Sequence, residues 1–170
     1  MGQIIRLPVR LAGYPDNSAA LDPAESVLLV AFRSWVDAFR QEEDPMPRMC
    51  QDLDGAGVYD AAFSVNRLMT IIACHVIRPM SIHCPGCQHL SNDEKRLLHA
   101  ASLAQGGHGH LAETALRTAL LSAEGAEGAL DPLLDLAGLL AEAGMFFRNR
   151  GAPAPNLAVD KPTASAETIL

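Results

Sequence analysis

The chain has 170 residues, of which 49% are apolar but only 5% aromatic, and its formal net charge at pH 7 is −7. This length fits one domain with its own core, and a core that must be built from Leu, Ala, Val and Ile favours helices. The negative charge and the lack of a Lys/Arg cluster argue against direct binding of DNA or RNA, because a phosphate backbone attracts basic surfaces.

Residues 1–21 show no regular periodicity apart from a candidate edge strand at 3–9, which Pro8 would confine to the edge of a sheet. We expect no secretory signal, because charged residues and Pro8 interrupt the apolar stretch that such a signal needs. The segment 58–77 contains several charged and polar residues and is not expected to span a bilayer. We predict a cytoplasmic protein with no membrane partner, whose cysteines stay reduced.

The first predicted helix begins after Asp22, where Pro23 suits the first helical position and Glu25 completes a capping box. The helix should end before Asp44, because the residue that precedes a proline avoids the helical conformation. Its apolar side chains recur at helical spacing, which predicts a face buried in the core. That face consists of Leu28, Phe32, Trp35 and Phe39.

The next part of the chain is predicted as a loop, a helix and a second loop. Two prolines and two glycines mark residues 44–57, which include Cys50, as the first loop. The second helix should run from about residue 58 to 77, because Pro79 stops it. Residues 78–90 then form a compact loop that contains most of the candidate metal ligands.

The third and fourth predicted helices flank a glycine-rich turn. Ser91 and Glu94 form the capping box that begins the third helix, which should end near residue 105. The fourth helix spans about residues 110–123, after the turn at 106–109. Because this pair offers few basic side chains, we interpret it as a helical hairpin within a bundle and not as a DNA-binding helix-turn-helix.

Residues 125–128 contain two glycines and are predicted as a flexible break. Asp131 and Pro132 then mark the start of a fifth helix. Residues 151–170 lack periodicity and are rich in Pro, Ala and Thr, which predicts a disordered tail. The expected fold is all-α, with about five helices in an irregular bundle over residues 1–150 and a metal-binding loop between the second and third helices.

The fifth predicted helix is apolar on nearly its whole circumference between residues 132 and 147. Such a helix is either central to the core or covered by a partner. We therefore name it as the candidate contact with a protein partner or with a second copy of the chain.

The segment from His83 to His89 is the one stretch that predicts chemistry. Cys84 and Cys87 are separated by two residues, a spacing that lets two thiolates reach one ion, and Gly86 permits the tight turn between them. Reduced cysteines in a polar loop of this kind indicate metal or redox chemistry before a structural disulfide.

Zinc normally takes four ligands in such sites, so two more are needed. We predict His75, at the end of the second helix, and His89, just before the third, as the partners of Cys84 and Cys87. Zinc is favoured over other metals because mixed thiolate and imidazole ligands suit it. This site would join the two helices. His83, Cys74 and Cys50 are the other candidates in the neighbourhood.

Two alternatives use the same cysteines differently. Cys50 and Cys74 together with Cys84 and Cys87 would suffice for an iron–sulfur cluster. The Cys84/Cys87 pair alone would suffice for a thiol redox centre, although the βαβ pattern usual for that motif is absent. Burial as small apolar residues suits Cys50 and Cys74 better than the two cysteines of the polar loop.

The chain contains neither a phosphate-binding glycine loop nor the Gly-x-Ser-x-Gly pattern of a serine nucleophile. We therefore predict a non-enzymatic helical protein with a structural zinc that acts through protein contacts, as a regulator or adaptor. The first alternative is an iron–sulfur or thiol-based redox sensor. The second is an enzyme whose metal keeps an open coordination position for water.

Overall fold

A computed structural model describes residue 11, residues 13–148 and residue 150. The candidate strand at 3–9 and the predicted tail at 151–170 lie outside the described residues. The described chain contains no β-strand, which confirms the all-α class, and it has six α-helices instead of five. They are α1 (Pro23–Arg40), α2 (Met46–Gly55), α3 (Ala61–His75), α4 (Asn92–Gln105), α5 (Gly109–Ala119) and α6 (Ala123–Glu142), after a short 3-10 helix at Ser18–Ala20.

Both predicted capping boxes are present. At the start of α1, the backbone N–H of Asp22 donates to the carboxylate of Glu25 at 2.9 Å. At the start of α4, the Ser91 hydroxyl accepts from the N–H of Glu94 at 3.0 Å, and the N–H of Ser91 donates back to the Glu94 carboxylate at 2.8 Å. These reciprocal bonds satisfy backbone donors that a helix start otherwise leaves open.

The prediction of a loop at 44–57 is wrong, because most of this segment forms α2. Pro45 precedes the helix and Pro47 lies in its first turn, where a missing N–H costs no helical hydrogen bond. Met49 and Leu53, four residues apart, are both buried. Prolines that mark a loop in other contexts thus begin a helix here, and Cys50 is a helical residue.

The predicted flexible break at 125–128 is also wrong, because these residues form the beginning of α6. The Ser122 hydroxyl caps this helix by accepting from the N–H of Gly125 at 3.1 Å. Pro132, predicted near a helix start, lies in the interior of α6 instead. The helix continues through the proline because its neighbours on one face, Ala126, Ala129 and Leu133, are all buried in the core.

Helix α6 packs against α3, α4 and α5 and is the central helix of the bundle. Its buried side chains include Leu133, Leu136 and Leu140. Burial inside the bundle accounts for most of the apolar circumference of this helix, while Leu134 stays 40% exposed. The predicted partner contact at 132–147 is untested and stays a prediction.

The predicted packing of the third and fourth helices against each other is confirmed for α4 and α5, which contact each other on either side of a short glycine-containing turn. In that turn Gly107 has φ of +78°, a conformation that L side chains rarely adopt. Across the described helices, none combines the length and apolarity that a bilayer crossing requires.

Candidate metal or redox site: the Cys84–Cys87 turn

Cys84 and Cys87 are the first and last residues of a tight turn. The N–H of Cys87 donates to the carbonyl oxygen of Cys84 at 3.2 Å, which closes the turn. Pro85 occupies the second position, and Gly86 occupies the third with φ of +84°. This combination is typical of a type II turn, in which the third residue must accept a positive φ.

Both thiols of the turn are free and reachable from solvent, since Cys84 is exposed and Cys87 is half-buried. The Cα atoms at the two ends of a β-turn lie less than about 7 Å apart. Two sulfur atoms on such neighbouring positions can bind the same metal ion or form a disulfide with each other.

A buried ion pair forms the base of the turn. Arg33 in α1 and Glu94 in α4 are 3% and 0% exposed, and the Arg33 Nε donates to the Glu94 carboxylate at 2.8 Å. The same guanidinium donates to the backbone carbonyl oxygens of Cys87 and of His89, the latter at 2.7 Å. Arg33 thus fixes the position of the backbone at Cys87.

Glu94 holds the other side of the loop. Its carboxylate accepts from the N–H of His83 at 3.0 Å and from the N–H of Ser91 at 2.8 Å. Burial disfavours the charged carboxylate, but the hydrogen bonds from Arg33 and from these two N–H groups outweigh it, so the pKa of Glu94 lies below its usual value. The carboxylate therefore stays ionised as the counter-charge of Arg33.

A second ion pair anchors the start of the loop. The Arg78 guanidinium donates to both carboxylate oxygens of Asp93, one of them at 3.0 Å, and the N–H of Ser81 donates to the same carboxylate at 2.9 Å. Burial alone would raise the pKa of Asp93, but these hydrogen bonds together with one from Arg96 hold it below its ordinary value. Asp93 and Glu94, adjacent in α4, therefore bind the two halves of the loop.

The segment before α1 covers the far end of the loop. The N–H of Ser18 donates to the carbonyl oxygen of Gln88 at 2.7 Å, and the N–H of Leu90 donates to that of Asp16 at 2.9 Å. The Lys95 ammonium, on α4, donates to the Asp16 carboxylate at 2.6 Å. The loop is therefore held by α1, by α4 and by the segment before α1.

The structure brings Cys84 and Cys87 together, with the exposed His89 two residues further along the same loop. His75 lies elsewhere, at the end of α3, where its Cβ packs directly against Gly125 of α6. Cys74 is exposed on α3, and Cys50 is half-buried in α2 and packs against the core.

Among the described residues, no group of three or more His, Cys, Asp or Glu side chains is arranged so that it could hold a metal ion. The four-ligand zinc set of His75, Cys84, Cys87 and His89 and the iron–sulfur set are untested and stay predictions.

Sequence reasoning missed Arg33, Asp93 and Arg78, and it recognised Glu94 only as a helix cap. A signal for Arg33 was present, because it follows Phe32 directly and lies one helical turn after Leu29 in the middle of an apolar helix. A charged residue at such a position needs a buried partner. The identity of that partner, 61 residues away in the chain, depends on the tertiary fold.

Comparison of the chain with protein-family models, with curated proteins and with solved structures yields no match.

Proposed function

We propose that this chain is a non-enzymatic helical protein of the cytoplasm that binds zinc through Cys84 and Cys87 and acts through protein contacts as a regulator or adaptor. The observation that supports the proposal is the closed turn with two accessible thiols at its ends. Two thiolates presented by one tight turn are half of a tetrahedral zinc site.

The ion pair beneath the turn favours metal binding because it orders the backbone of the loop in advance. Arg33 and Glu94 hold the backbone of the loop by hydrogen bonds within the protein. A site whose backbone is already ordered loses less conformational entropy when a ligand binds. We therefore expect zinc to bind to a loop that is folded beforehand, and removal of the metal should leave the helices intact.

The remaining ligands are proposed from the same loop. His89 is exposed and lies two residues after Cys87, so we take its imidazole as the third ligand, which would turn toward the thiols when the metal binds. His75 would have to leave its packing against Gly125 to take part. The fourth position then falls to His83, next to Cys84, or to a side chain of the protein partner.

Thiol redox chemistry is the second candidate, favoured by the same turn. The ends of a β-turn lie less than about 7 Å apart, which is close to the Cα–Cα separation of about 4.4–6.8 Å that natural disulfides need. In that reaction a disulfide of another molecule would be the oxidant. A bond between the two sulfur atoms of the turn would replace their two S–H bonds, and the other disulfide would take up the two electrons and two protons to become two thiols.

The test begins with the metal content of the full chain, purified without oxygen and measured by elemental analysis. We expect one zinc per chain in the wild type and loss of zinc in Cys84→Ser and in Cys87→Ser. Cys74→Ser is the matched control, because this exposed thiol lies on α3, outside the loop. Co²⁺ added to the metal-free protein should give a thiolate charge-transfer absorption that both loop variants lack.

Three outcomes decide between the candidates. Zinc binding that is lost in both loop variants and kept in Cys74→Ser supports the proposal. A wild type that binds neither zinc nor Co²⁺ overturns it, and a Cys84–Cys87 disulfide formed under mild oxidation would then support the redox candidate. Iron and sulfide in the purified protein, lost also in Cys50→Ser and Cys74→Ser, would support the iron–sulfur alternative.

A further inference from the structure

A cavity of about 740 Å³ lies between α4, α5 and the segment that follows α6, on surfaces other than the Cys84–Cys87 turn. Its volume is within the range of small-molecule binding sites, about 300–1,000 Å³. The apolar part of its wall includes Leu11 before α1, Leu103 of α4, Leu111 and Ala115 of α5, and Phe146 and Phe147 after α6.

The wall after α6 is fixed in place by Gln105. The side-chain amide of this residue donates to the carbonyl oxygens of Ala137 and Met145, at 3.2 and 2.9 Å, and its oxygen accepts from the N–H of Phe147 at 2.8 Å. The Gln105 amide therefore fixes the backbone of the segment that carries the two phenylalanines. Phe146 and Leu111 are nevertheless 66% and 52% exposed, so a large apolar surface faces solvent at this site.

The one charged side chain among the described lining residues of the cavity, Arg96, is positive. The described lining residues include Arg96, His99 and His108 but no carboxylate, in a chain with 20 acidic residues and a net charge of −7. Arg96 donates to Asp93 at 2.9 Å, but Asp93 also binds Arg78, so two guanidinium groups share one carboxylate. One positive charge therefore stays uncompensated within this trio.

The hydrogen-bonding state of the other polar side chains indicates where the polar end of a ligand would bind. The hydroxyls of Thr114 and Thr118 donate to carbonyl oxygens of their own helix, at 2.8 and 2.6 Å, and so are already used. Arg96 and His99 lie three residues apart on α4 and therefore on the same side of it. Arg96 and His99 thus place two donors on the α4 side of the cavity, while His108 lies in the turn before α5.

We propose that this cavity binds a small monocarboxylate with an apolar body, such as a medium-chain fatty acid. Its carboxylate would accept hydrogen bonds from Arg96 and His99, and its apolar body would cover Leu111, Ala115 and Phe146. The opposite charges of ligand head and cavity wall, and the apolar surface left open beside them, match this class of ligand.

The test is a calorimetric titration of the full chain with dodecanoate, kept below the concentration at which dodecanoate forms micelles. We expect saturable one-to-one binding. Dodecyltrimethylammonium, which has the same apolar chain but a positive head, should bind much more weakly. Arg96→Gln should weaken dodecanoate binding about tenfold or more, the effect of a lost hydrogen bond to a charged group. Arg117→Gln, on the exposed side of α5, should leave binding unchanged.

Two further measurements keep the result decisive. Ala115→Phe places a ring inside the cavity and should abolish binding, while its circular dichroism shows whether the helices remain folded. Burial lowers the pKa of His99 in the free protein, and a carboxylate beside the ring should raise that pKa in an NMR titration. Equal binding of both amphiphiles, undiminished binding to folded Ala115→Phe, or no binding of dodecanoate to the wild type would overturn the proposal.

Discussion

Arg33 and Glu94 show why single buried charges decide the geometry of the cysteine loop. Both side chains are almost completely excluded from solvent, and each satisfies several partners at once. Burying a lone charge is costly, but a pair with further hydrogen bonds offsets much of that cost. The pair therefore contributes mainly by fixing where Cys87 and His83 lie, and only secondarily to net stability.

Replacement of Glu94 by Gln should lower the free energy of unfolding by about 3–5 kcal/mol, the usual cost of leaving a buried charge without its partner. Urea denaturation at pH 7 measures this loss in the free energy of unfolding. Asp37→Asn is the matched control, because Asp37 pairs with Arg48 at 3.1 Å on the surface. An exposed pair of this kind contributes only about 0–1 kcal/mol. Equal losses in the two variants would contradict the special role of Glu94.

The stability of the wild type should also depend on pH in acid. The pKa of Glu94 in the folded protein lies below its ordinary value of 4.5. The carboxyl group of Glu94 therefore binds a proton more readily in the unfolded state than in the folded state. The contribution of ionised Glu94 to stability is complete above about pH 4.5 and is lost as the pH falls through its folded pKa. Urea midpoints measured from pH 7 to pH 3 should fall more steeply in the wild type than in Glu94→Gln. Parallel curves would show that other carboxylates dominate.

At the level of the helices, local signals predicted the starts of α1 and α4 well and failed for α2 and for the beginning of α6. The prediction that Phe39 of α1 is buried is wrong, because this side chain is 59% exposed. The capping boxes at Asp22 and Ser91 are formed by residues three positions apart, so the sequence alone reveals them. Residues 125–128, in contrast, belong to α6 because of packing: Gly125 lies where a side chain would collide with His75. A glycine needed for close helix packing and a glycine in a flexible break look alike in a sequence.

The same distinction limits what could be predicted for the cysteine loop. The two-residue spacing and Gly86 are local, and they suffice to predict a tight turn with two thiols. The predicted ligand His75 depends on how the end of α3 sits against α6, which is a long-range property. The ion pair between Arg33 and Glu94 joins α1 to α4 across 61 residues and has no local signature.

Two glycines of α6 allow this packing argument to be tested. In Gly125→Ala the new methyl group would overlap the Cβ of His75 and lie 2.9 Å from its Cγ. We expect a loss of about 1–3 kcal/mol in the free energy of unfolding, as for other overpacked sites. Gly138→Ala is the matched control, since a Cβ there meets nothing within 4 Å. It should stabilise the helix by about 0.5–1 kcal/mol. If both substitutions stabilise the protein, Gly125 is not a packing glycine.

At the scale of the whole molecule, the two ends of the described chain meet at α1. The Arg150 guanidinium donates to both oxygens of Glu25, at 2.7 and 2.8 Å, and to the carbonyl oxygen of Gly13 at 2.9 Å. It also lies over the ring of Tyr14, 5.3 Å from the centroid. Glu25 is completely buried, so this contact adds another buried ion pair to that of Arg33 and Glu94, between residues 125 positions apart in the chain.

Replacement of Arg150 by Met tests whether this contact stabilises the whole bundle. Met keeps much of the apolar length of the side chain but leaves the buried Glu25 with only the Asp22 N–H as a donor among the described partners. We expect a loss of about 3–5 kcal/mol in the free energy of unfolding, measured by urea denaturation. Arg148→Met is the matched control, because Arg148 is 69% exposed and lies 3.7 Å from Asp22. That variant should change stability by less than about 1 kcal/mol. Similar losses in the free energy of unfolding for both variants would mean that the ion pair with Glu25 gives no net stabilisation. The two ends of the described chain would then be held together by their other contacts.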